Sequence, residues 1–180
     1  MLLSPERSAL VVVDVQERLA PAVHASDRVV HNVGVLLQAA DRLGVPVLVT
    51  EQYPKGLGHT VGPLKERLPD GAVVEKIHFS ACGEPGFVER LDSLGRDQIV
   101  LTGMEAHVCV LQTALGLRSL GRTVYIVADA TSSRTPGNAE LGIERMRENG
   151  VEIVTTEMAV FEWMQRAGTP EFKALSALIK

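Results

Sequence analysis

The sequence predicts an α/β fold of the doubly wound type, with a six-stranded parallel sheet and helices on both of its faces. Short apolar, β-branched segments alternate with longer segments of helical periodicity along nearly the whole chain. The candidate strands are apolar at successive positions, as in Ala9–Val13, which is typical of parallel strands covered on both faces. Four predicted helices are followed by a glycine that can end a helix in a left-handed conformation: Gly44, Gly95, Gly121 and Gly150.

These patterns place the elements in order along the chain. The predicted strands are Ala9–Val13, Pro46–Thr50, Val73–Lys76, Gln98–Thr102, Thr123–Ala128 and Glu152–Thr155. The predicted helices are Asp27–Leu43, Pro85–Leu94, Val108–Leu120, Asn138–Asn149, Thr156–Arg166 and Pro170–Lys180. The longest irregular stretch, Glu51–Gly62, is predicted to be a loop over the site. Because 180 residues suffice for one sizeable core, we expect a single domain over residues 1–180.

Charge and cysteine content limit the partners and the compartment. The formal net charge is -4 and the charged residues are interspersed, which disfavours a nucleic-acid partner. The first apolar segment, Ala9–Val13, is too short for a membrane span and does not resemble an export signal. We therefore expect a cytoplasmic protein with no membrane partner, in which Cys82 and Cys109 are free thiols rather than a disulfide.

Three chemically active side chains follow different predicted strands. Asp14 follows the first strand, Lys76 ends the third, and Cys109 lies shortly after the fourth. Because ligands bind beyond the carboxyl ends of the strands in such sheets, we expect these side chains to converge there. A helix start and a nearby lysine would both favour the Cys109 thiolate, and Asp14 could accept and return its proton. Taken singly, each residue also has a structural interpretation: a packing cysteine, a capping aspartate and a solvated lysine.

At these positions the sequence resembles the isochorismatase-like cysteine hydrolase family, which includes nicotinamidases and carbamoylsarcosine amidases. The similar motifs are Val12–Gln16, Val74–Lys76, Gly103–Val110 and Asp129–Arg134. The resemblance covers nearly the whole chain and implies a Rossmann-type three-layer fold with strand order 3-2-1-4-5-6. The segment Thr50–Gly58 is similar to the subgroup called isochorismatase domain-containing proteins.

The resemblance also implies a catalytic arrangement. It places the family's catalytic triad on Asp14, Lys76 and Cys109. It implies a cis peptide bond between Met104 and Glu105, and an oxyanion hole formed by the backbone N–H groups of Glu105 and Cys109. The expected reaction is hydrolysis of an amide-type C–N bond in a small molecule through a thioester on Cys109. True isochorismatases lack this cysteine, so its presence favours amide chemistry.

Other features of the site are less determined by sequence. Tyr53, Phe79 and His107 are candidates to line a substrate pocket, although Phe79 could be a core residue and His107 could face away. Nicotinamidases hold a metal with an Asp-x-His segment that is absent here, so we expect no nicotinamidase activity, no metal and no other cofactor.

We expect a homo-oligomer, with the last helix as a candidate interface. An idle scaffold protein and a redox-sensing thiol are the alternative functions.

Overall fold

The computed structural model describes residues 1–179 and contains a six-stranded sheet in the order β3-β2-β1-β4-β5-β6. The strands are β1 (Ser8–Val13), β2 (Val47–Gln52), β3 (Val73–Lys76), β4 (Gln98–Met104), β5 (Thr123–Ser132) and β6 (Glu152–Val154). Every pairing between neighbouring strands of this sheet is parallel. The predicted fold class and strand order are confirmed.

Helices cover both faces of the sheet. They are α1 (Ser26–Leu43), α2 (Pro54–Leu57), α3 (Gly62–Lys65), α4 (Pro85–Ser93), α5 (Leu111–Ser119), α6 (Pro136–Glu148), α7 (Thr156–Met164) and α8 (Pro170–Ser176). Buried residues of α1, α7 and α8 pack on one face, and those of α4, α5 and α6 pack on the other. None of the helices within residues 1–179 is long and apolar enough to cross a membrane.

Strand β1 lies between these two cores. All six of its residues are buried, and they alternate between the faces, with Leu10 and Val12 in one core and Val11 and Val13 in the other. This burial on both faces explains the continuous apolar segment in the sequence. Because β1 is fixed in this way, the backbone of Asp14, which directly follows it, has a defined position.

The carboxyl ends of β4 and β5 extend further than predicted. They end at Met104 and Ser132 instead of Thr102 and Ala128, because Gly103 pairs with Thr131 and Met104 with Ser132 after a register shift. The extensions consist largely of polar and small residues, so the hydrophobic pattern of the sequence does not predict them. Strand β4 therefore leads almost directly into the turn that holds Cys109, and the end of β5 pairs with the end of β4.

The predicted loop Glu51–Gly62 is also more regular than expected. Its first two residues belong to β2, and the two short helices α2 and α3 follow, each with a proline in the first turn. The buried Glu51 carboxylate accepts hydrogen bonds from the backbone N–H and the hydroxyl of Thr60, at 2.7 and 2.8 Å. Gln16 Nε2 donates to the carbonyl of Gly58 at 2.7 Å. These contacts hold the segment against the ends of β1 and β2.

The boundaries of four helices also differ from prediction. The helix predicted at Val108–Leu120 begins as one π-helical turn, Ala106–Val110, and continues as α5. The helix predicted at Asn138–Asn149 starts at Pro136, where the Thr135 side chain caps the first turn. Of the closing helices, α7 ends at Met164 and α8 at Ser176, and the predicted terminus at Lys180 lies outside the described residues.

Gly103 provides a test of how closely β1 and β4 approach each other. Its φ is +122°, and a Cβ atom at this position would lie 2.0 Å from the carbonyl oxygen of Val13. We expect Gly103→Ala to lower the free energy of unfolding by roughly 3 kcal/mol, through strain and overpacking. Urea denaturation would measure this loss.

Gly137 is the matched control, because nothing lies within 4 Å of a Cβ atom there and it lies in α6. Gly137→Ala should leave the stability unchanged or raise it by up to about 1 kcal/mol. Equal effects of the two substitutions would show that the contact with Val13 does not limit position 103.

Candidate active site

Asp14 directly follows β1, and its carboxylate is fully buried. Its backbone has a left-handed conformation with φ of 52°. The hydroxyl of Thr50, on the neighbouring strand β2, donates to Oδ1 of Asp14 at 2.6 Å, and Nζ of Lys76 lies 2.8 Å from Oδ2. The sheet therefore presents a carboxylate that is shielded from water and paired with a cation.

Lys76 ends β3, and its side chain passes across β2 to reach Asp14. The side chain is completely buried, and its Nζ donates to Oε1 of Gln52 at 2.6 Å. It also donates to the backbone carbonyls of His78 at 3.3 Å and Phe79 at 3.1 Å. Oxygen atoms of the protein thus take the place of water around this ammonium group.

Cys109 completes this cluster from the other side of β1. It lies in the π-helical turn Ala106–Val110 after β4 and is only 7% exposed. Its thiol lies close enough to Asp14 and Lys76 for both side chains to change its pKa. The structure brings together the three side chains that the sequence analysis singled out.

The environment of Cys109 differs from the one expected. Burial, followed by the charge of Asp14, raises the pKa of Cys109 to about 12, and the opposing effect of Lys76 is smaller. The expected effect of Lys76 is present, because its charge lowers the pKa of Cys109, but burial and Asp14 outweigh it. Cys109 is a thiol at neutral pH, and a base must remove its proton before it can act as a nucleophile.

Asp14 is placed to act as that base. Burial raises its pKa above the ordinary value, and the contacts with Lys76, Thr50 and Cys109 offset only part of this effect. A carboxylate with a raised pKa binds a proton more readily than one in water. The pair of Asp14 and Cys109 can therefore pass one proton between them.

The turn before Cys109 is tightly held. The Met104–Glu105 peptide bond is cis, and the Glu105 carboxylate accepts a hydrogen bond from Nε of Arg134 at 2.8 Å. The carbonyl of Glu105 accepts hydrogen bonds from the backbone N–H groups of Val108 and Val110. Helix α6 packs so closely against the turn that a Cβ atom on Gly142 would lie 2.9 Å from Cα of His107.

The three candidate pocket residues lie beside this cluster. Tyr53 is half exposed, and its backbone N–H donates to the carbonyl of Lys76 at 2.9 Å. Phe79 is also half exposed and touches Lys76 through its own carbonyl, so it is not a core residue. His107 lies in the same turn as Cys109, where its Nδ1 is 2.9 Å from the hydroxyl of Ser133.

Sequence reasoning missed some of the polar residues that hold the cluster. Gln52 contacts Lys76 through Oε1 and donates from Nε2 to the carbonyl of Ile77 at 2.7 Å. Thr50 and Gln52 end a strand that is otherwise largely apolar, and this polar ending was the available signal. Within residues 1–179 no group of three or more His, Cys, Asp or Glu is placed to hold a metal ion.

Replacing the carboxylate tests its effect on the thiol. Asp14→Asn removes both the negative charge and the carboxylate hydrogen bond that raise the pKa of Cys109, while Lys76 remains to stabilise a thiolate. We expect iodoacetamide to label Cys109 about tenfold faster or more at a fixed, mildly alkaline pH, because one pKa unit changes the thiolate fraction tenfold. Peptide mapping would give the rates, with Cys82 as the internal control. Slower labelling of Cys109 in the variant would contradict the account.

A second prediction concerns stability. Lys76→Met leaves a buried carboxylate without its cation and should lower the free energy of unfolding by about 3–5 kcal/mol. The double variant Asp14→Asn with Lys76→Met removes both charges, so it should lose less stability than the sum of the single variants. Chemical denaturation of the four proteins gives the coupling energy, and strictly additive losses would refute the pairing.

Comparison with known proteins identifies the family of this chain. The isochorismatase domain model matches residues 8–158. The chain is 41% identical over 184 residues to the secreted isochorismatase effector Isc1 of Phytophthora sojae, with 99% of this chain and 87% of that protein covered. It is 39% identical over 182 residues to isochorismatase domain-containing protein 2 of Danio rerio, with 98% and 89% covered.

Solved structures show the same fold. A structure described as MAR1 ribonuclease from Caenorhabditis elegans has a TM-score of 0.93 at 37% identity and covers 99% of this chain and 92% of its own. The YcaC gene product from Escherichia coli, described as an octameric hydrolase of unknown specificity, has a TM-score of 0.93 at 23% identity, with 99% and 90% covered. The matched family model spans most of the chain and the close relatives span nearly all of it, and we conclude that this protein belongs to the isochorismatase family.

Proposed function

We propose that this member of the family is a cysteine hydrolase that cleaves an amide-type C–N bond of a small molecule through a thioester on Cys109. The observation that carries the proposal is the buried cluster of Asp14, Lys76 and Cys109 at the carboxyl end of a parallel sheet, in which Lys76 pairs with Asp14 and both change the pKa of Cys109. A nucleophile, a base and a cation in contact are the parts that acyl transfer requires.

The first half of the reaction forms the thioester. Sγ of Cys109 attacks the substrate carbonyl carbon while Asp14 accepts the thiol proton. The resulting oxyanion would receive hydrogen bonds from the backbone N–H groups of Glu105 and Cys109. The C–N bond then breaks, and Asp14 returns the proton to the departing nitrogen, which leaves as ammonia or an amine.

The second half regenerates the enzyme. Water attacks the thioester carbonyl and gives a proton to Asp14, the C–S bond breaks, and Asp14 returns the proton to Sγ of Cys109. The products are a carboxylic acid and the free thiol. Lys76 takes no part in these proton transfers: its Nζ stays beside Asp14 and three other oxygen atoms, where it stabilises negative charge on its neighbours.

The surroundings of the cluster suggest how a substrate is held. Tyr53 and Phe79 expose aromatic rings next to Lys76, and His107 lies two residues before Cys109, so all three are candidates to contact a small substrate. We further propose that the protein works as a homo-oligomer, as the octameric relative does. The cytoplasmic location stays a prediction, since one relative is named a secreted effector.

Two other functions are distinguishable from this one. An idle scaffold has no chemical need for a buried thiol in contact with a carboxylate and an ammonium group, yet it would share the fold. The relative named a ribonuclease raises RNA cleavage as a further activity, although the net charge of -4 disfavours binding of a polyanion. A redox-sensing role for Cys109 would require access to oxidants, whereas the residue is 7% exposed.

The deciding experiment is intact-protein mass spectrometry with a panel of primary amides and carbamoyl compounds, with product analysis in parallel. We expect a mass increase equal to the acyl group on the wild-type protein and loss of the adduct and of turnover in Cys109→Ala. Cys82→Ala is the matched control and should keep both, because Cys82 lies outside the cluster.

An adduct that persists in Cys109→Ala would refute the proposal. A wild-type protein that neither forms an adduct nor releases ammonia or an amine from any compound would favour the scaffold. Cleavage of a labelled RNA by the wild type and by Cys109→Ala alike would point to a separate activity.

A further inference from the structure

The segment that directly follows β3, residues 77–80, is held at its first two residues by one carboxylate. Oε1 of Glu84 accepts a hydrogen bond from the backbone N–H of Ile77 at 2.8 Å and from that of His78 at 3.1 Å. The same oxygen atom lies 2.8 Å from Nδ1 of His78. We call residues 77–80 the β3–α4 turn.

The β3–α4 turn also surrounds the end of the Lys76 side chain. The carbonyl oxygens of His78 and Phe79 accept hydrogen bonds from Nζ of Lys76. The carbonyl of Ile77 accepts a hydrogen bond from Gln52, whose Oε1 in turn accepts from Nζ of Lys76. The turn therefore lies between Glu84 on its outer side and Lys76 on its inner side.

The number of hydrogen atoms on an ammonium group makes these carbonyls important. Nζ of Lys76 carries three, and it donates to Oε1 of Gln52 and to two carbonyls of the turn. Oδ2 of Asp14 lies 2.8 Å away as its ion-pair partner. If the turn moved, the hydrogen atoms directed at it would lose their acceptors in a site that is shielded from water, and Nζ would have to shift to regain them. The direction of the lysine thus depends on the conformation of the turn.

We propose that Glu84 is a positioning residue, which fixes the β3–α4 turn and thereby holds Nζ of Lys76 against Asp14 and Cys109. The inference rests on the proposed function of that cluster. Glu84 acts through the backbone of Ile77 and His78 and has no contact with Lys76 in the described hydrogen bonds and ion pairs. Nothing in its role requires contact with the substrate.

The Glu84 carboxylate can accept these hydrogen bonds over the whole neutral range of pH. The backbone N–H of Ile77, the side chain of His78 and the backbone N–H of His78 lower the pKa of Glu84 to about 2. The imidazole of His78 is 65% exposed, so its contact with the carboxylate contributes little in water. The two backbone hydrogen bonds are what hold the turn, and they need an acceptor oxygen rather than a charge.

This distinction defines the variants to compare. Glu84→Gln keeps an oxygen that can accept both backbone hydrogen bonds, whereas Glu84→Ala removes it. Glu84→Asp keeps the charge but withdraws the oxygen by one methylene, and it serves if the alanine variant fails to fold. Glu89→Ala is the matched control, because Glu89 is an exposed carboxylate on helix α4, which begins directly after Glu84.

The direct readout is the ¹H–¹⁵N correlation signal of the Lys76 ammonium group in the free, full-length protein, assigned by its loss in Lys76→Met. Wild type, Glu84→Gln and Glu89→Ala should give the signal at one position. Glu84→Ala and Glu84→Asp should shift or broaden it beyond detection. With an amide substrate, their acylation of Cys109 should fall by up to about 10²-fold, the scale of a misplaced group, and Glu84→Gln should restore it.

A Lys76 signal unchanged in both Glu84→Ala and Glu84→Asp would overturn the positioning role, even if these variants melt at lower temperature. Loss of the signal in Glu84→Gln as well would also overturn it, because the acceptor oxygen is retained there. The spectrum needs no substrate, so it tests the positioning role of Glu84 separately from the proposed hydrolysis. Failure of the proposed hydrolysis would appear as absence of acylation in the wild type.

Discussion

The buried ion pair between Asp14 and Lys76 is the interaction on which the carboxyl end of the sheet depends. Removing two charges from water carries a large desolvation penalty, which close geometry and further hydrogen bonds must offset. Thr50 supplies one of these hydrogen bonds to the carboxylate, and Gln52 and two backbone carbonyls accept from the ammonium group. The ends of three strands and the turn after β3 are thus constrained by one pair of charges.

This constraint connects the fold to the proposed chemistry. A parallel sheet brings the ends of β1, β3 and β4 to one edge, and Lys76 is long enough to cross β2 and reach Asp14. Burial raises the pKa of both Asp14 and Cys109, so the proton stays on sulfur in the free protein while the carboxylate is ready to accept it. Reactivity then arises with a bound substrate, whose carbonyl receives the electron pair as the proton moves to oxygen.

The arrangement also separates two roles that a lysine could have. Its contacts with neutral oxygens and with Asp14 hold Lys76 in place as an electrostatic partner, and the proposed proton transfers run between Asp14 and Cys109. Lys76 lowers the pKa of both Asp14 and Cys109, but burial raises both values by more. Glu84 contributes to this arrangement from outside the cluster, because it holds the β3–α4 turn whose carbonyl groups surround Nζ of Lys76.

Much of the fold was accessible from sequence for a physical reason. Strands buried on both faces, such as β1, leave continuous apolar segments, and the helices between them end at glycines. The segment after β2 was harder, because it is ordered by individual hydrogen bonds of Gln16 and Glu51 that leave no periodic signal.

The candidate site was predicted in part. The convergence of Asp14, Lys76 and Cys109 at the strand ends followed from topology, and the resemblance to the family assigned their roles. The protonation state of Cys109 did not follow, because it depends on how far burial and the Asp14 charge outweigh Lys76, and these require coordinates. The same holds for Glu84, whose partners are mainly backbone atoms and therefore leave no trace in residue types.

The central claim is that Cys109 is a thiol in the free protein and becomes a nucleophile only when Asp14 accepts its proton. The most direct measurement is the ¹³Cβ chemical shift of Cys109 as a function of pH, in protein labelled at cysteine and carrying Cys82→Ser so that one signal remains. The account predicts a thiol shift throughout the neutral and mildly alkaline range, as expected for a pKa of about 12. A thiolate shift at neutral pH would contradict it and would show that Lys76 outweighs burial.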